Sequence, residues 1–344
     1  MELSNPEPLD CAGVEVHFGS LKAVNGANLA VAAGEIVAIL GRSGSGKTTL
    51  LRAIAGFERV AAGEIRIGGR VVESTSVSVP AHKRSVGLVF QDYALFPNRT
   101  VAANIAYGLS RGSESRVNEL LRRGDLEGLG GRYPHQLSGG QQQRVAVLRS
   151  LAPHPRILLL DEPFSNLDAA LRLAMREELV AILRAEGMTA VLVTHDRTDA
   201  MAAADRIAVM EAGKVIETAT PVDLYMRPAS KGAAVYAADA QFFPGVATGD
   251  TAETPLGTVR LVSPLRGPCE VLVRPEWVGV KGLGVAATVV SRRFEGAHAR
   301  LVLSVPGNPP FVAVVPSWMA AEANDSFEIG VSVPVPAYPV EEAR

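Results

Sequence analysis

Short, unbroken apolar runs alternate with segments of helical periodicity from Val14 to about Ala238. Such runs are typical of parallel strands that are buried on both faces, with helices as the crossover connections between them. The alternation therefore predicts an α/β domain built on a mainly parallel sheet. The clearest predicted strands cover residues 36–40, 86–90, 157–160, 190–194 and 207–210.

After Ala240 the chain changes to short valine-rich runs that glycine and proline interrupt. This texture, with little helical periodicity, predicts a small antiparallel β domain. Its predicted strands cover residues 269–273, 286–290, 300–305 and 311–315. We expect the domain boundary between residues 227 and 241.

Composition narrows the class of partner. The 344 residues carry 34 basic and 36 acidic side chains and a formal net charge of -2. This balance argues against a basic surface for nucleic acid, so no nucleic-acid partner is expected. Cys11 and Cys269 are too far apart in sequence for a CxxC pair, which fits a reducing, cytosolic setting. The longest apolar runs cover about a quarter of a membrane span, so any membrane contact is expected to be peripheral.

A glycine-rich string follows the predicted strand at 36–40 and consists of Gly41, Arg42, Ser43, Gly44, Ser45, Gly46, Lys47 and Thr48. It has the G-x-x-x-x-G-K-T spacing of a phosphate-binding loop, between a strand and a helical segment. The glycines let backbone N–H groups converge on a phosphate at a helix N-terminus. Lys47 would add its charge near the β- and γ-phosphates, and Thr48 would offer its hydroxyl to Mg²⁺.

Polar side chains follow three other predicted strands. Asp161 and Glu162 end the run at 157–160, where Asp161 would hold Mg²⁺ through water and Glu162 would orient or deprotonate the attacking water. His195 would reach the γ-phosphate from the same sheet edge, and Gln91 would ligate Mg²⁺ or sense the γ-phosphate. Taken singly, each has a structural alternative, a solvated strand end for the carboxylates and a packing role for His195.

A second glycine-containing string opens a predicted helix and consists of Leu137, Ser138, Gly139, Gly140 and Gln141. Ser138 and the following glycine N–H groups would form another anion-binding cradle at a helix start. One nucleotide needs one phosphate loop, so a second cradle suggests that the chain also serves a nucleotide held by another subunit. The alternative is a helix that glycines merely open.

The order of these motifs resembles the ATP-binding subunit of an ABC transporter over about residues 14–240. The resemblance implies a P-loop NTPase (ABC ATPase) domain over 10–240, with a helical subdomain at about 92–150, and a small OB-like β domain over 241–344. It also implies a homodimer that closes head to tail around two ATP molecules. Each ATP would lie on one phosphate loop and on the partner subunit's Ser138 and Gly140.

The resemblance assigns roles to individual positions. The implied ATP-binding residues are Phe18, which would stack on adenine, and Gly41, Arg42, Ser43, Gly44, Ser45, Gly46, Lys47, Thr48 and Thr49. The implied catalytic residues are Glu162, His195 and Gln91, and the implied Mg²⁺ ligands are Thr48, Gln91 and Asp161. The implied loop between the two sites consists of Ser165, Asn166, Leu167 and Asp168. Asn166, Leu148 and Ser150 stand where the family commonly has alanine, a departure that concerns communication across the dimer rather than ATP binding.

Further strings resemble importers whose substrate is delivered by a binding protein. In these, Tyr93, Ala94, Leu95, Phe96 and Pro97 would contact two membrane-spanning permease subunits. The string at 273–276 is similar to the OB-like β domain of such ATPases. The segments at 113–130 and 131–137, and the triplet at 195–197, look most like ferric-iron importer ATPases. The implied location is peripheral, on the cytoplasmic face of the inner membrane.

Several alternatives remain open from the sequence. The first alternative is the ATPase of an importer for sulfate, molybdate, a polyamine or a sugar. A non-transport ABC ATPase acting on ribosomes or DNA is disfavoured by the single ATPase cassette and the absence of a basic patch. A P-loop kinase or GTPase is disfavoured by the LSGGQ string at 137–141 and by the absence of an N-K-x-D string, which would read guanine. In the β domain, Arg274 and Glu276 would either sense a ligand or form an ordinary ion pair.

Overall fold

The computed structural model describes residues 6–165, 169–322 and 326–340. The chain divides into two compact units, Met1–Pro221 and Val222–Arg344. This division precedes the boundary expected between 227 and 241. Within the described ranges, no helix is long and apolar enough to cross a membrane.

The first unit contains a six-stranded and a four-stranded sheet. Its strands are β1 (Leu9–Phe18), β2 (Leu21–Val31), β3 (Ile36–Leu40), β4 (Ala62–Ile67), β5 (Arg70–Ser74), β6 (Val86–Val89), β7 (Ile157–Asp161), β8 (Thr189–Thr194), β9 (Arg206–Glu211) and β10 (Lys214–Ala219). Its helices are α1 (Lys47–Ala55), α2 (Val101–Ile105), α3 (Glu114–Arg123), α4 (Gly139–Leu151), α5 (Ala169–Ala185) and α6 (Arg197–Ala203).

The six-stranded sheet confirms the predicted parallel core. Its order is β10-β9-β3-β8-β7-β6, and every neighbouring pair except β10 and β9 is parallel. All five predicted strands are present in it. Strands β3, β7 and β8 are buried along their whole length, which explains why they appear as unbroken apolar runs.

The four-stranded antiparallel sheet, β2-β1-β4-β5, was not predicted. The pairing register of β1 with β2 shifts between Cys11 and Val14, where Gly13 has a positive φ of 58°. A bulge of this kind breaks the strict alternation of apolar and polar positions by which a strand with one exposed face is recognised.

Helix α1, which begins at the phosphate loop, lies in the apolar core between the two sheets. The buried residues of this core include Leu50, Leu51 and Ile54 of α1, Val37 and Ile39 of β3, Leu159 of β7, and Leu9, Val16 and Ile65 of the antiparallel sheet. Arg84 donates hydrogen bonds to the carbonyl oxygens of Ala53 and Ile54 at the far end of the helix, at 2.8 and 3.1 Å. The buried carboxylate of Glu73 pairs with Arg84, so the carboxyl end of α1 is held by a buried ion pair.

The expected helical subdomain contains α2, α3 and α4 around a small core of their own. Leu148 is fully buried in this core. A Cβ atom at Gly124 would lie 2.6 Å from a methyl carbon of Leu148. The leucine at this position of α4 is therefore accommodated by a glycine across from it.

The second unit is a β domain with short helices. Its strands are β11 (Gln241–Thr254), β12 (Gly257–Val273), β13 (Val278–Phe294), β14 (His298–Ser304), β15 (Phe311–Pro316), β16 (Ser326–Val331) and β17 (Ala337–Pro339). Its helices are α7 (Pro221–Met226), α8 (Lys231–Ala237) and α9 (Ser317–Glu322). The antiparallel sheets are ordered β11-β12-β17 and β15-β14-β13-β16, which confirms the predicted β class.

Arg274 explains why α7 and α8 belong to this unit. Its side chain is fully buried and donates hydrogen bonds to the carbonyl oxygens of Tyr225 at 2.8 Å and Asp239 at 3.1 Å. The guanidinium carbon also lies 4.4 Å from the ring centroid of Tyr225. Neither of the two roles considered from the sequence describes Arg274 fully, since it joins the helices to the β domain through backbone carbonyls. Glu276 accepts a hydrogen bond from the Tyr225 hydroxyl.

We expect Arg274→Met to lower the free energy of unfolding of the second unit by about 2 kcal/mol, because the carbonyl oxygens of Tyr225, Ala234 and Asp239 lose a charged donor. Both tryptophans of the chain, Trp277 and Trp318, lie in this unit. Urea unfolding of the full chain, followed by tryptophan fluorescence, therefore measures the effect.

Arg300→Met is the matched control. Arg300 pairs with the Asp239 carboxylate at 3.1 Å, and both side chains are exposed. An exposed ion pair contributes less than about 1 kcal/mol. If the two variants lose the same stability, Arg274 contributes no more than a surface charge.

Candidate nucleotide site

The carboxyl ends of the central strands meet at one edge of the sheet. The register pairs Leu40 with Thr194, Asp161 with Val193 and Val89 with Leu160. The residues that follow these strands therefore start from the same edge, which is where ligands bind in open α/β sheets. Glu162 and His195 follow in this way.

The phosphate loop has the backbone that its glycines predict. Gly44 and Gly46 have positive φ angles of 80° and 100°. A Cβ atom at Gly46 would lie 2.2 Å from the carbonyl oxygen of Ala23, and one at Gly41 would lie 2.4 Å from that of Met210. Space therefore requires glycine at both positions, and at Gly46 the backbone conformation requires it as well.

Lys47 begins α1 and is almost fully buried. Its amine donates hydrogen bonds to the carbonyl oxygens of Gly41 at 2.9 Å and Arg42 at 3.0 Å. Burial lowers the pKa of Lys47, and the nearby Glu162 and Asp161 carboxylates oppose this shift. The loop thus holds a buried cationic group in its interior, where it can interact with phosphate oxygens.

Thr48 and Asp161 contact each other across the two motifs. The Thr48 hydroxyl donates a hydrogen bond to Asp161 Oδ1 at 3.0 Å. Burial raises the pKa of Asp161, and this hydrogen bond opposes the shift. A hydroxyl and a carboxylate are oxygen ligands of the kind that Mg²⁺ prefers, so these two residues fit the expected metal position.

Glu162 has a left-handed backbone with a φ of 46°, which is unusual for a residue other than glycine. Successive side chains of a regular strand point to opposite faces, and the turn at Glu162 interrupts this alternation. Glu162 consequently lines the cleft beside Lys47. His195 Nδ1 lies 3.0 Å from Glu162 Oε2, so the imidazole is placed to hold this carboxylate.

A cleft of about 630 Å³ opens over the phosphate loop. Its lining residues are Phe18, Leu21, Lys22, Ala23, Ser43, Gly44, Gly46, Lys47, Thr48, Thr49, Glu162, Ala212 and Gly213. The Phe18 side chain is 48% exposed here, so a ring face is available for a planar group. Ala212 and Gly213 were not predicted from the sequence. They adjoin the phosphate loop because the Gly213 N–H donates a hydrogen bond to the Ser45 carbonyl oxygen at 3.0 Å.

The interior of the loop is suited to an anion. The Ser45 hydroxyl oxygen is buried and has no hydrogen-bond partner within the described chain. Buried polar atoms of this kind are rare, and a ligand that supplies the partner removes the cost. With the glycine backbone and Lys47, this hydroxyl makes the loop fit a nucleotide phosphate.

Gln91 and the second glycine-containing string at 137–141, which we call the signature string, lie outside the lining of this cleft. Gln91 is exposed after β6. Ser138 caps α4, since its hydroxyl accepts a hydrogen bond from the Gln141 N–H at 3.3 Å, and the Gln141 side chain accepts one from the Ser138 N–H at 3.0 Å. This confirms that the second string opens a helix. Leu137 packs in the core of the helical subdomain, so within one chain the string is not brought to the phosphate loop.

Two other predicted segments are partly described. The Ser165 hydroxyl donates to the Glu162 carbonyl oxygen at 3.0 Å, whereas Asn166, Leu167 and Asp168 lie outside the described residues. In the segment expected to contact permeases, Tyr93 is buried, which argues against a role for its side chain at that surface. The remaining members, Ala94, Leu95, Phe96 and Pro97, are exposed or half-buried.

Comparison with known proteins agrees with this geometry. The family model described as ABC transporter matches residues 24–165, and the model described as TOBE domain matches residues 271–338. The Fe(3+) ions import ATP-binding protein FbpC of Mesorhizobium japonicum is 40% identical over 324 residues, which cover 89% of this chain and 90% of that protein. The Sulfate/thiosulfate import ATP-binding protein CysA 2 of Chromobacterium violaceum is 44% identical over 310 residues, covering 86% and 83%.

A solved ATP-binding cassette, described as dimeric and in a post-hydrolysis state bound to ADP and Pi, is 31% identical with a TM-score of 0.54. The match covers 62% of this chain and 98% of that one. The curated relatives span both units, and the solved cassette matches fewer residues. The chain therefore belongs to the ATP-binding subunits of ABC importers, and it is an ATPase with an OB-like TOBE domain at its carboxyl end.

Proposed function

We propose that this chain hydrolyses ATP to drive the import of ferric iron. The observation that supports this cargo is the similarity, over nine-tenths of its length, to a protein named for Fe(3+) import. A sulfate importer is the second candidate, because a relative named for sulfate and thiosulfate import is similarly related.

The proposed assembly is a homodimer that closes head to tail on the cytoplasmic face of the inner membrane. Each ATP lies on one phosphate loop and on the partner subunit's Ser138 and Gly140. Two supports are the capped start of α4, with backbone N–H groups at its first turn that the helix itself does not use, and the dimeric state of the solved cassette. Closure of the homodimer would move two permease subunits, and a substrate-binding protein would deliver the cargo to them.

Lys47 and the loop amides bind the phosphates of ATP in this proposal. Thr48 and Asp161, with Gln91 on closure, would hold Mg²⁺, which supplies positive charge to the phosphate oxygens when bound. Phe18 stacks against the adenine ring at the exposed end of the cleft. These contacts position the γ-phosphate in front of Glu162.

Glu162 accepts a proton from the attacking water, or orients that water, through its carboxylate. His195 holds this carboxylate at its Oε2 atom, at 3.0 Å. Because Glu162 is fixed by both its backbone and His195, the carboxylate needs little rearrangement when ATP arrives.

Uptake of radiolabelled ferric iron by cells carrying the wild type or Glu162→Gln tests the proposed cargo. Sulfate, molybdate and polyamine uptake are measured in the same cells. We expect the variant to lose iron uptake alone. Loss of sulfate uptake alone would keep the importer mechanism and overturn the iron assignment.

A further inference from the structure

Helix α4 carries the signature string at its start and contacts the segment around Gln91 near its end. The helix has 13 residues, which corresponds to a length of about 20 Å. Its last turn contains Arg149 and Ser150, and both direct hydrogen bonds to backbone carbonyl groups near Gln91. Ser150 is one of the positions where the family commonly has alanine.

Ser150 holds the strand side of this segment. Its hydroxyl oxygen lies 2.9 Å from the carbonyl oxygen of Leu88 in β6 and 3.0 Å from that of Ala146 in its own helix. The Ser150 side chain is buried, and its single hydroxyl proton is shared between these two carbonyl groups. Alanine at this position would make neither contact.

Arg149 holds the other side of the segment. Its guanidinium donates hydrogen bonds to the carbonyl oxygens of Tyr93 at 2.9 Å and Ala94 at 2.6 Å. Its central carbon lies 5.5 Å from the ring centroid of Phe96. Charged donors of this kind form stronger hydrogen bonds than neutral ones do.

The backbone is strained at the two residues whose carbonyl groups Arg149 contacts. Tyr93 and Ala94 have positive φ angles of 61° and 44°, and neither is glycine. Two adjacent residues in this conformation persist only where surrounding contacts stabilise them. The two Arg149 hydrogen bonds lie on these same two residues, so they stabilise the conformation that follows Gln91.

We propose that Arg149 and Ser150 are positioning residues that make the location of Gln91 follow the movement of α4. This rests on the proposed function, in which nucleotide on the partner subunit binds at the start of the same helix. The two side chains hold Leu88 and Tyr93–Ala94, on either side of Gln91. A shift of α4 on closure therefore carries Gln91 with it, and the site of hydrolysis receives a signal from the signature string.

The test compares the full-length wild type with Arg149→Met, Arg149→Lys and Ser150→Ala. We expect Arg149→Met to lower kcat for ATP hydrolysis about tenfold with less than about a twofold change in KM, since the phosphate loop is untouched. Arg149→Lys restores part of kcat because it keeps a cationic donor. Ser150→Ala lowers kcat about threefold. Hydrogen exchange of the amides at 90–96 is expected to accelerate in Arg149→Met.

Arg122→Met is the matched control, because Arg122 lies on α3 of the same subdomain and pairs with Glu127 in an exposed ion pair. It should hydrolyse ATP at the wild-type rate. Wild-type kcat in Arg149→Met, with faster exchange at 90–96, would overturn the proposal. Faster exchange throughout the chain would also overturn it, by assigning Arg149 a general role in stability.

If Arg149→Met does not fold, Ser150→Ala decides the question, since wild-type kcat in that variant contradicts the proposal. A failure of the proposed function has a different signature. If Glu162→Gln hydrolyses ATP normally, the assignment of the site is wrong whatever Arg149 does. The transported substrate is not part of these hydrolysis and hydrogen-exchange measurements. An incorrect assignment of the cargo therefore leaves their results unchanged.

Discussion

Lys47→Ala is expected to abolish ATP binding, with an increase in Kd of about 100-fold or more. The Lys47 amine is the buried cation of the phosphate loop, 2.9 Å from the carbonyl oxygen of Gly41. Its removal deletes charge-assisted hydrogen bonds to the phosphates from a side chain that is almost fully buried. Titration of the purified chain with a fluorescent ATP analogue measures the change in Kd.

Lys22→Ala is the control for this measurement. Lys22 lines the same cleft, but its amine is exposed and pairs with Glu15 at 3.2 Å. We expect a change in Kd of less than about threefold, because an exposed charge is screened by water. A similar loss of affinity in both variants would show that net charge in the cleft, rather than the position of Lys47, controls binding.

Glu162→Gln is expected to keep ATP binding and to lower the rate of hydrolysis at least about 100-fold. Glutamine has nearly the same shape and can still contact His195, but it accepts no proton from water. Because ATP then persists, we expect the variant to accumulate as a dimer. Phosphate release and size-exclusion chromatography with ATP measure the two effects separately.

Glu127→Gln, at an exposed position on the same unit, is the control and should behave as the wild type. Hydrolysis at the wild-type rate by Glu162→Gln contradicts the assigned role of this carboxylate. A variant that stops hydrolysis but remains monomeric with ATP keeps that role and contradicts the head-to-tail assembly.

Much of the site could be predicted because it follows buried parallel strands. These strands are unbroken apolar runs, so the amino-acid pattern by itself places the positions directly after them, such as Gly41, Glu162 and His195, at one sheet edge. The spacing of the phosphate loop then indicates the ligand class.

The remaining features depend on contacts that local patterns do not encode. The left-handed backbone at Glu162 brings its side chain to the cleft beside Lys47, although regular strand alternation would separate it from Asp161. The close approach of Gly46 to Ala23 joins the phosphate loop to strand β2, which is distant from it in sequence. The bulge near Gly13 obscures an entire antiparallel sheet.

The division of the chain into two units precedes the predicted boundary for a related reason. Helices α7 and α8 have the periodicity of the α/β domain that precedes them, but Arg274 joins them to the β domain through hydrogen bonds to backbone carbonyls. A carbonyl group is present at every residue, so the sequence carries no sign of which ones a buried arginine will contact.

Because both tryptophans lie in the second unit, tryptophan fluorescence reports on that unit alone. Light at the long-wavelength edge of protein absorption excites Trp277 and Trp318 but not the tyrosines and phenylalanines of the ATPase unit. Any change in their emission when ATP is added to the wild type, and not to Lys47→Ala, would come from a nucleotide event transmitted to the TOBE domain. The native chain thus contains its own reporter of communication between units, and no label has to be attached.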